Sequence, residues 1–461
     1  MSAPTAGNVV VSYRGIASLF EGIDLDERAA PGTPTRTEAG EDAIVRAAEG
    51  DPIAELGAPA QPEPAAPEDL SDIDDLQRIA MIAGLRRAID EIARADKTPG
   101  VLFAPEDQAS SLLLAYLSQQ GLSSGKLAEL GDGRYEVKFD DRDLTGWVGS
   151  FFRDWIKRLR KHRFLAPPAA PEVIGNTCRV ALLGDWGTGL YGAPRCALSI
   201  KEAKPAFDVV VHLGDIYYAG NPGEVRERFL AHWPEVPGAL SRAVNANHEM
   251  YSGGEGYFGG VLPAFGQGSS VFALQNDHFL VVGLDTGYDE HDLAGGQAEW
   301  LMGLAAQAGD RKIVLLSHHQ PFSVFESQGT KLVRKLRPLL STGRIFAWYW
   351  GHEHRCMVYD KHPEWELWGR LIGHSGYPYF RRDFSAYPIE KVNSDGTSFR
   401  LLAATDSAPR SVLLEGPNPY VTDAPGRYGP HGFASIELDG PRLMERILAA
   451  DGTVLHEKEL T

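Results

Sequence analysis

Apolar positions divide the chain into three stretches of different character. Residues 1–70 carry few of them in a background of Ala, Pro, Glu and Gly, as in "GAPAQPEPAAPEDL". Such a segment buries too little apolar surface to offset its ordering entropy. It is expected to be a flexible leader, with one modest apolar patch at 8–20. Residues 71–165 show helical periodicity. "SDIDDLQRIAMIAGLRRAIDEIARA" opens on Ser and Asp, good capping residues, and then repeats apolar side chains at helical spacing. "RYEVKFD" alternates like a short strand. "DLTGWVGSFFRDWIKRLRKHR" predicts a second helix, with Trp147, Phe151, Phe152, Trp155 and Leu159 near one side and a basic C-terminal end at 157–163. The segment reads as a small, mainly helical accessory domain, followed by the linker "APPAAPE" at 166–172.

From residue 177 the pattern changes. The apolar runs "CRVALLGD", "FDVVVHLGD", "LSRAVNANHE", "SVFALQNDHFLVVGLDT", "RKIVLLSHH" and "RIFAWYWGHEH" are separated by helical stretches near 194–204, 222–233, 295–308 and 330–340. Continuous apolar strands between helices imply sheets covered by helices. Later runs, "LWGRLIGHSG", "GFASIELDG" and "RLMERILAADGTVLHEKEL", read as strands and hairpins. The expected class over 177–461 is therefore α/β, with an antiparallel strand-rich end.

Composition changes this picture little. A length of 461 residues suits two or three domains, and 43% hydrophobic residues suffice for a large core. No apolar run reaches the roughly 18 residues of a membrane span. The N-terminus lacks the basic start and apolar core of a secretory signal. Cys178, Cys196 and Cys356 are far apart and form no disulfide framework, which suits a reducing, cytoplasmic setting. Of the net charge of −17, the 16 acids and three arginines of residues 21–75 contribute −13, so the acidity belongs to the leader. No basic stripe with interleaved aromatics appears in the later part, and nucleic acid is not an expected partner.

The chemistry collects where strands end. Asp185 follows "VALLG"; Asp215 follows "VVHLG", with Tyr218 three residues on. Asn247 and His248 follow "RAVNA", His318 and His319 follow "IVLLS", and His352 and His354 follow "AWYWG". Each motif alone is weak, because a Gly-Asp after a strand is usually a turn and a paired His is often structural. Together, at five strand ends, they mark one site, since ligands of open α/β sheets bind at the carboxyl ends of strands. The donors include no cysteine, which disfavours a structural zinc site. Carboxylate, amide, phenol and imidazole suit Fe, Mn, Zn or Co. They exceed the needs of one ion, whereas two ions sharing a carboxylate would use them all.

The order "GDWG … GDIYY … NHE … SHH … GHEH" resembles the calcineurin-like metallophosphoesterases, and more narrowly the purple acid phosphatases of the small tartrate-resistant branch. The likeness covers about 177–461. It implies two packed β-sheets flanked by helices, a four-layer sandwich with metals at one edge. It also implies that Asp185, Tyr218 and His354 bind iron(III), that Asn247, His318 and His352 bind a divalent ion (Fe, Zn or Mn), and that Asp215 bridges the two. Gly187 stands where other superfamily members carry a metal-binding histidine, and the tyrosinate takes its place. His248 would face the phosphoryl group as the catalytic residue. His319, Glu326 and His374 are expected near the substrate, Asp285 as a support, and Trp186, Tyr251, Tyr377, Tyr379 and Phe380 as pocket walls. His212, His278 and His291 are expected to be ordinary core or surface histidines. The implied activity is hydrolysis of a small phosphomonoester by metal-activated hydroxide. The alternatives are a phosphodiesterase acting on nucleotides, cyclic nucleotides or lipid head groups, and a non-catalytic metal-bound interaction module. Residues 71–165 would serve a protein partner or self-association.

Overall fold

The computed structural model describes residues 9–10, 108–124, 127–129, 135–137 and 160–461, apart from 327, 382–383 and 422–424. The chain divides into two compact units between Arg160 and Lys161. The first contains β1 (Val9–Val10), α1 (Gln108–Ser124), β2 (Leu127–Glu129) and β3 (Tyr135–Val137). Its strands form a small sheet in the order β1-β3-β2. β3 lies in the predicted "RYEVKFD" strand. The helix predicted at 71–95, most of the basic helix and the rest of the leader lie outside the described residues. The basic helix does not run on to Arg163 as expected, because the chain is non-helical from Arg160 onward. The His162 amide donates instead to the Gly253 carbonyl at 2.6 Å. Lys161 Nζ donates to the Tyr288 carbonyl at 2.8 Å.

The second unit begins with β4 (Glu172–Val173), β5 (Thr177–Leu183), α2 (Ala193–Glu202), β6 (Val209–His212), β7 (Leu240–Ala243), β8 (Phe272–Gln275) and β9 (Phe279–Gly283). α3 (Gln297–Gln307), β10 (Lys312–Ser317), α4 (Thr330–Leu340), β11 (Ile345–Trp350), β12 (Cys356–Lys361) and β13 (Trp368–Ile372) follow. The chain closes with β14 (Ile389–Val392), β15 (Ser398–Leu402), β16 (Ser411–Glu415), β17 (Gly432–Asp439), β18 (Arg442–Ala449) and β19 (Val454–Leu460). The strands and helices predicted beyond residue 177 are present, the helix near 222–233 as a run of short, irregular helical turns. β12, β14, β15 and β16 are additional; β12 and β16 carry the short apolar runs "CMVY" and "VLL", whereas β14 is exposed throughout.

Two mixed sheets result. One has six strands in the order β19-β18-β17-β5-β6-β7, and the other ten, in the order β14-β15-β16-β12-β13-β11-β10-β9-β8-β4. Three apolar clusters make the layers. Val180, Leu182, Val211 and Ile436 of the first sheet pack with Val281, Val314, Leu316 and Ala347 of the second. The outer face of the ten-stranded sheet packs Leu315 and Trp348 under Leu301 of α3 and Leu336 of α4. The outer face of the six-stranded sheet packs Ala181 and Val210 under Cys196 and Ile200 of α2. Helix, sheet, sheet and helix stack in that order. Strands buried on both faces explain why their sequences are continuous apolar runs rather than alternating ones.

A buried polar link joins the two sheets. Arg370 of β13 donates from Nε to Glu445 of β18 at 2.8 Å and from an Nη at 2.6 Å. Tyr349 of β11 donates its hydroxyl to the same carboxylate at 3.0 Å. Among the described residues no helix is long and apolar enough to cross a membrane.

Candidate metal centre

β5, β6 and β7 run parallel, as do β9, β10 and β11. The carboxyl ends of both trios meet at one edge of the sandwich. The His352 amide after β11 donates to Asp185 Oδ2 after β5 at 2.9 Å. His318 after β10 places Nδ1 2.9 Å from the Leu213 carbonyl after β6 and Nε2 3.3 Å from Asp215 Oδ1.

Asp185, Asp215 and His354 form one group, with ligand atoms within 4.8 Å of one another. Glycine makes room for it: a Cβ on Gly351 or Gly373 would lie 2.7 or 2.9 Å from Asp185 Oδ2. A Cβ on Gly187 would meet the Asp215 carbonyl at 2.6 Å, so no side chain fits there without movement. Several donor residues hold left-handed backbone, with φ of 56° at Asp185, 75° at Asp215, 74° at His352 and 52° at His354. Non-glycine residues adopt this region at a cost and gather in it at functional sites.

The hydroxyl that reaches this group belongs to Tyr217. It lies 3.1 Å from Asp185 Oδ1, 2.9 Å from Asp215 Oδ2 and 3.0 Å from His354 Nε2. Tyr218, the expected ligand, is held in the same tight turn by its backbone. Its N–H donates to Glu224 Oε1 at 2.6 Å, and its carbonyl lies 2.6 Å from His248 Nδ1. Its ring lies under the Arg228 guanidinium, 4.7 Å from the centroid. Of these two adjacent residues, Tyr217 presents its hydroxyl to the carboxylates.

A second set lies around Asp215 and His318. His352 Nδ1 is 3.2 Å from His318 Nε2. Asn247 gives an amide hydrogen to the Tyr251 hydroxyl at 2.8 Å, and its buried Oδ1 has no hydrogen-bond partner among the described residues. His248 is likewise buried with Nε2 unpartnered among them, 3.8 Å from Asp215 Oδ2. Burial, and then the neighbouring Asp215, push the Asp185 carboxyl well above its ordinary range. Burial foremost also holds His318, His352 and His354 below the usual imidazole range, so they are neutral. Two carboxylates and three neutral imidazoles thus meet with one phenol among them, and Asn247 precedes His248, whose amide lies 3.4 Å from Asp215 Oδ1. Cations would supply positive charge here, and the donor set fits them.

Behind this set, Asp285 accepts from Asn245 Nδ2 at 3.1 Å and from the Gly287 and Tyr288 amides. It braces the turn before Asn247, and burial pushes its carboxyl up to about 6. Glu249 Oε2 accepts the Asp215 amide at 3.2 Å. Tyr251 touches both Asn247 and the His248 ring, and Tyr377 stacks on His354. Tyr379 and Phe380 instead pack on Arg355 and Tyr428. Trp186 is no pocket wall: it is fully buried, donates to the Ala193 carbonyl and packs on Phe229 and Trp233. His374 is fully buried with Nε2 against Gly432, and burial drops its imidazole to about 3. His212 is a core histidine, as expected. His291 is not an ordinary one, because its ligand nitrogen lies within 4.8 Å of those of His319 and His352. It sits deep in the loop after β9 rather than at a strand end, so nothing in the sequence pattern points to it.

Residues 178–356 match the family described as calcineurin-like phosphoesterase. The matched span includes every donor named above, from Asp185 to His354. No curated protein matches this chain. Solved structures similar to it include the purple acid phosphatase PPD1 from yellow lupin (Lupinus luteus) seeds, at 15% identity, 64% of this chain, 55% of that chain and a TM-score of 0.42. GAP50, the anchor in the inner membrane complex of Plasmodium, is similar at 13% identity, 62% of this chain, 89% of that chain and a TM-score of 0.42. A dimetal phosphatase from Danio rerio is similar at 13% identity, 62% of this chain, 98% of that chain and a TM-score of 0.36. The chain thus spans little more than half the length of the lupin protein.

Proposed function

We propose that residues 177–461 form a phosphoesterase domain that hydrolyses a small phosphomonoester in the manner of a purple acid phosphatase. The observation that carries this reading is the pairing of two donor sets around Asp215. Asp185, Asp215 and His354 make up one, with the Tyr217 hydroxyl 2.9 Å from Asp215. Asn247, His318 and His352 make up the other. In this reading the first set holds iron(III), for which a phenolate is an apt ligand, and the second holds a divalent ion, with Asp215 shared. When bound, such a pair supplies positive charge to the phosphoryl oxygens and acidifies a water molecule.

The chain's own residues do the rest. His248 is oriented by the Tyr218 carbonyl at Nδ1, which leaves Nε2 to face the phosphoryl group. From there it donates a hydrogen bond to an equatorial oxygen, or gives its proton to the leaving oxygen. Tyr251, packed on His248 and bonded to Asn247, fixes both side chains. Glu249 and Asp285 keep Asp215 and the Asn245–Asn247 turn in position.

The test is turnover by the metal-replete full chain of an aryl phosphate monoester and of the corresponding bis-aryl diester. Preferred cleavage of the monoester, abolished in Asp215→Asn, supports the reading. Preferred cleavage of the diester, or turnover unchanged in Asp215→Asn, refutes it.

A further inference from the structure

His352 presents its two ring nitrogens to different neighbours. Nδ1 faces His318 Nε2 at 3.2 Å, inside the proposed two-metal centre. Nε2 faces away, 3.6 Å from Glu326 Oε2. His291 and His319 gather at the same imidazole. The His319 ring centroid lies 4.6 Å from that of His352 and 4.0 Å from that of His291, and the His291 and His352 centroids are 5.2 Å apart. One ligand nitrogen from each of the three falls within 4.8 Å of the others. His319 Nδ1 is engaged by Thr286 Oγ1 at 3.0 Å, while its Nε2 is buried with no hydrogen-bond partner among the described residues. His291 holds left-handed backbone, φ 56°, as the donors of the first centre do.

Three imidazoles packed ring to ring have no reason to associate as apolar groups, since each carries a lone pair and a polar N–H. A cation gives them one. Zinc holds imidazole nitrogens at about 2.0–2.1 Å in a tetrahedron, which puts them roughly 3.4 Å apart, and small ring rotations close that gap. The Glu326 side chain, 27% exposed, can supply the fourth, oxygen ligand from the solvent side. The exposed Lys331 opposes a cation here, and the Glu326 carboxylate offsets it.

We propose that His291, His319 and His352, closed by Glu326, form a third cation site of zinc-binding type beside the two-metal centre. It shares the His352 ring with that centre, each ring nitrogen serving one ion, so the ring gives up its N–H proton to solvent and bridges as an imidazolate. The sharing rests on the two-metal reading; the three-histidine site does not. In this arrangement His319 and Glu326 act on the substrate only through the cation they hold, and not by direct contact.

The test is metal stoichiometry of the full chain after chelation and reloading with Zn²⁺ alone. The expected content is about three equivalents for the natural sequence and about two for His291→Ala and His291→Asn, since a zinc held by three imidazoles does not survive the loss of one. Thermal melting of each variant checks that it folds. Equal zinc content with and without His291, in folded protein, overturns the site. A raised KM for a phosphate ester with unchanged zinc content overturns it in favour of direct substrate contact. Asp185→Asn separates the two readings. If the two-metal centre is wrong and the histidine site right, the protein binds a single zinc that His291→Ala removes and Asp185→Asn leaves.

Discussion

The Tyr217 hydroxyl stands 2.9 Å from Asp215 Oδ2, while the ring of its neighbour Tyr218 faces Arg228. Burial, with Asp185 and Asp215 adding to it, holds the Tyr217 phenol well above its ordinary range, so it ionises only if a cation takes the proton's place. Iron-loaded protein is therefore expected to absorb visible light through a Tyr217 phenolate. Tyr217→Phe should bleach that band and Tyr218→Phe should keep it. Loss of colour in the second variant alone would return the ligand to Tyr218. The measurement is an absorption spectrum at known iron content.

His248 is aimed by its backbone partner and not by a metal. Replacement by Ala is expected to lower kcat by about 10²–10⁴-fold, the usual worth of a positioned acid or hydrogen-bond donor. Metal content should be unchanged. Steady-state kinetics beside elemental analysis checks both halves.

The Arg370–Glu445 pair joins the two sheets out of reach of water. Burial alone would raise the Glu445 carboxyl, but the Arg370 guanidinium outweighs it and holds the group at about 2. Glu445→Ala leaves a buried arginine uncompensated and should cost about 3–5 kcal/mol in urea unfolding. The sign of the pH dependence follows. The folded value lies below the roughly 4.3 of an unfolded glutamate. The pair's stabilisation is therefore fully present above about pH 4.3 and is lost as pH falls toward the folded value. The natural protein should lose stability steeply through this window, and Glu445→Gln should flatten the slope.

Gly351 gives the Asp185 carboxylate its space, since a Cβ there would lie 2.7 Å from Oδ2. Gly351→Ala is expected to displace Asp185 and reduce zinc or iron content. In the natural protein, chelation should lower the melting temperature, because a ligand at about 100 times its Kd contributes about 2.7 kcal/mol to the folded state. Equal melting temperatures with and without chelator would count against any resident cation.

Much of this architecture is legible in the sequence. Strands such as Thr177–Leu183 and Lys312–Ser317 are largely buried on both faces, so they read as apolar runs, and their donors follow within a few residues. β14 escapes because all its residues are exposed and it has no apolar face to show. The choice between Tyr217 and Tyr218 escapes because it depends on how one turn is anchored to Glu224 and His248. Trp186 misleads because a residue next to a site donor can belong wholly to the core. His291 escapes because its position is set by a loop, and loops carry no periodicity.

The left-handed backbone at Asp185, Asp215, His352 and His354 has an evolutionary corollary. Glycine or asparagine at these four positions would relieve the strain and yield a sturdier fold. Selection for thermal robustness alone would therefore erase the site from the inside, one relaxed residue at a time. A chain that carries all four has been screened for something other than staying folded.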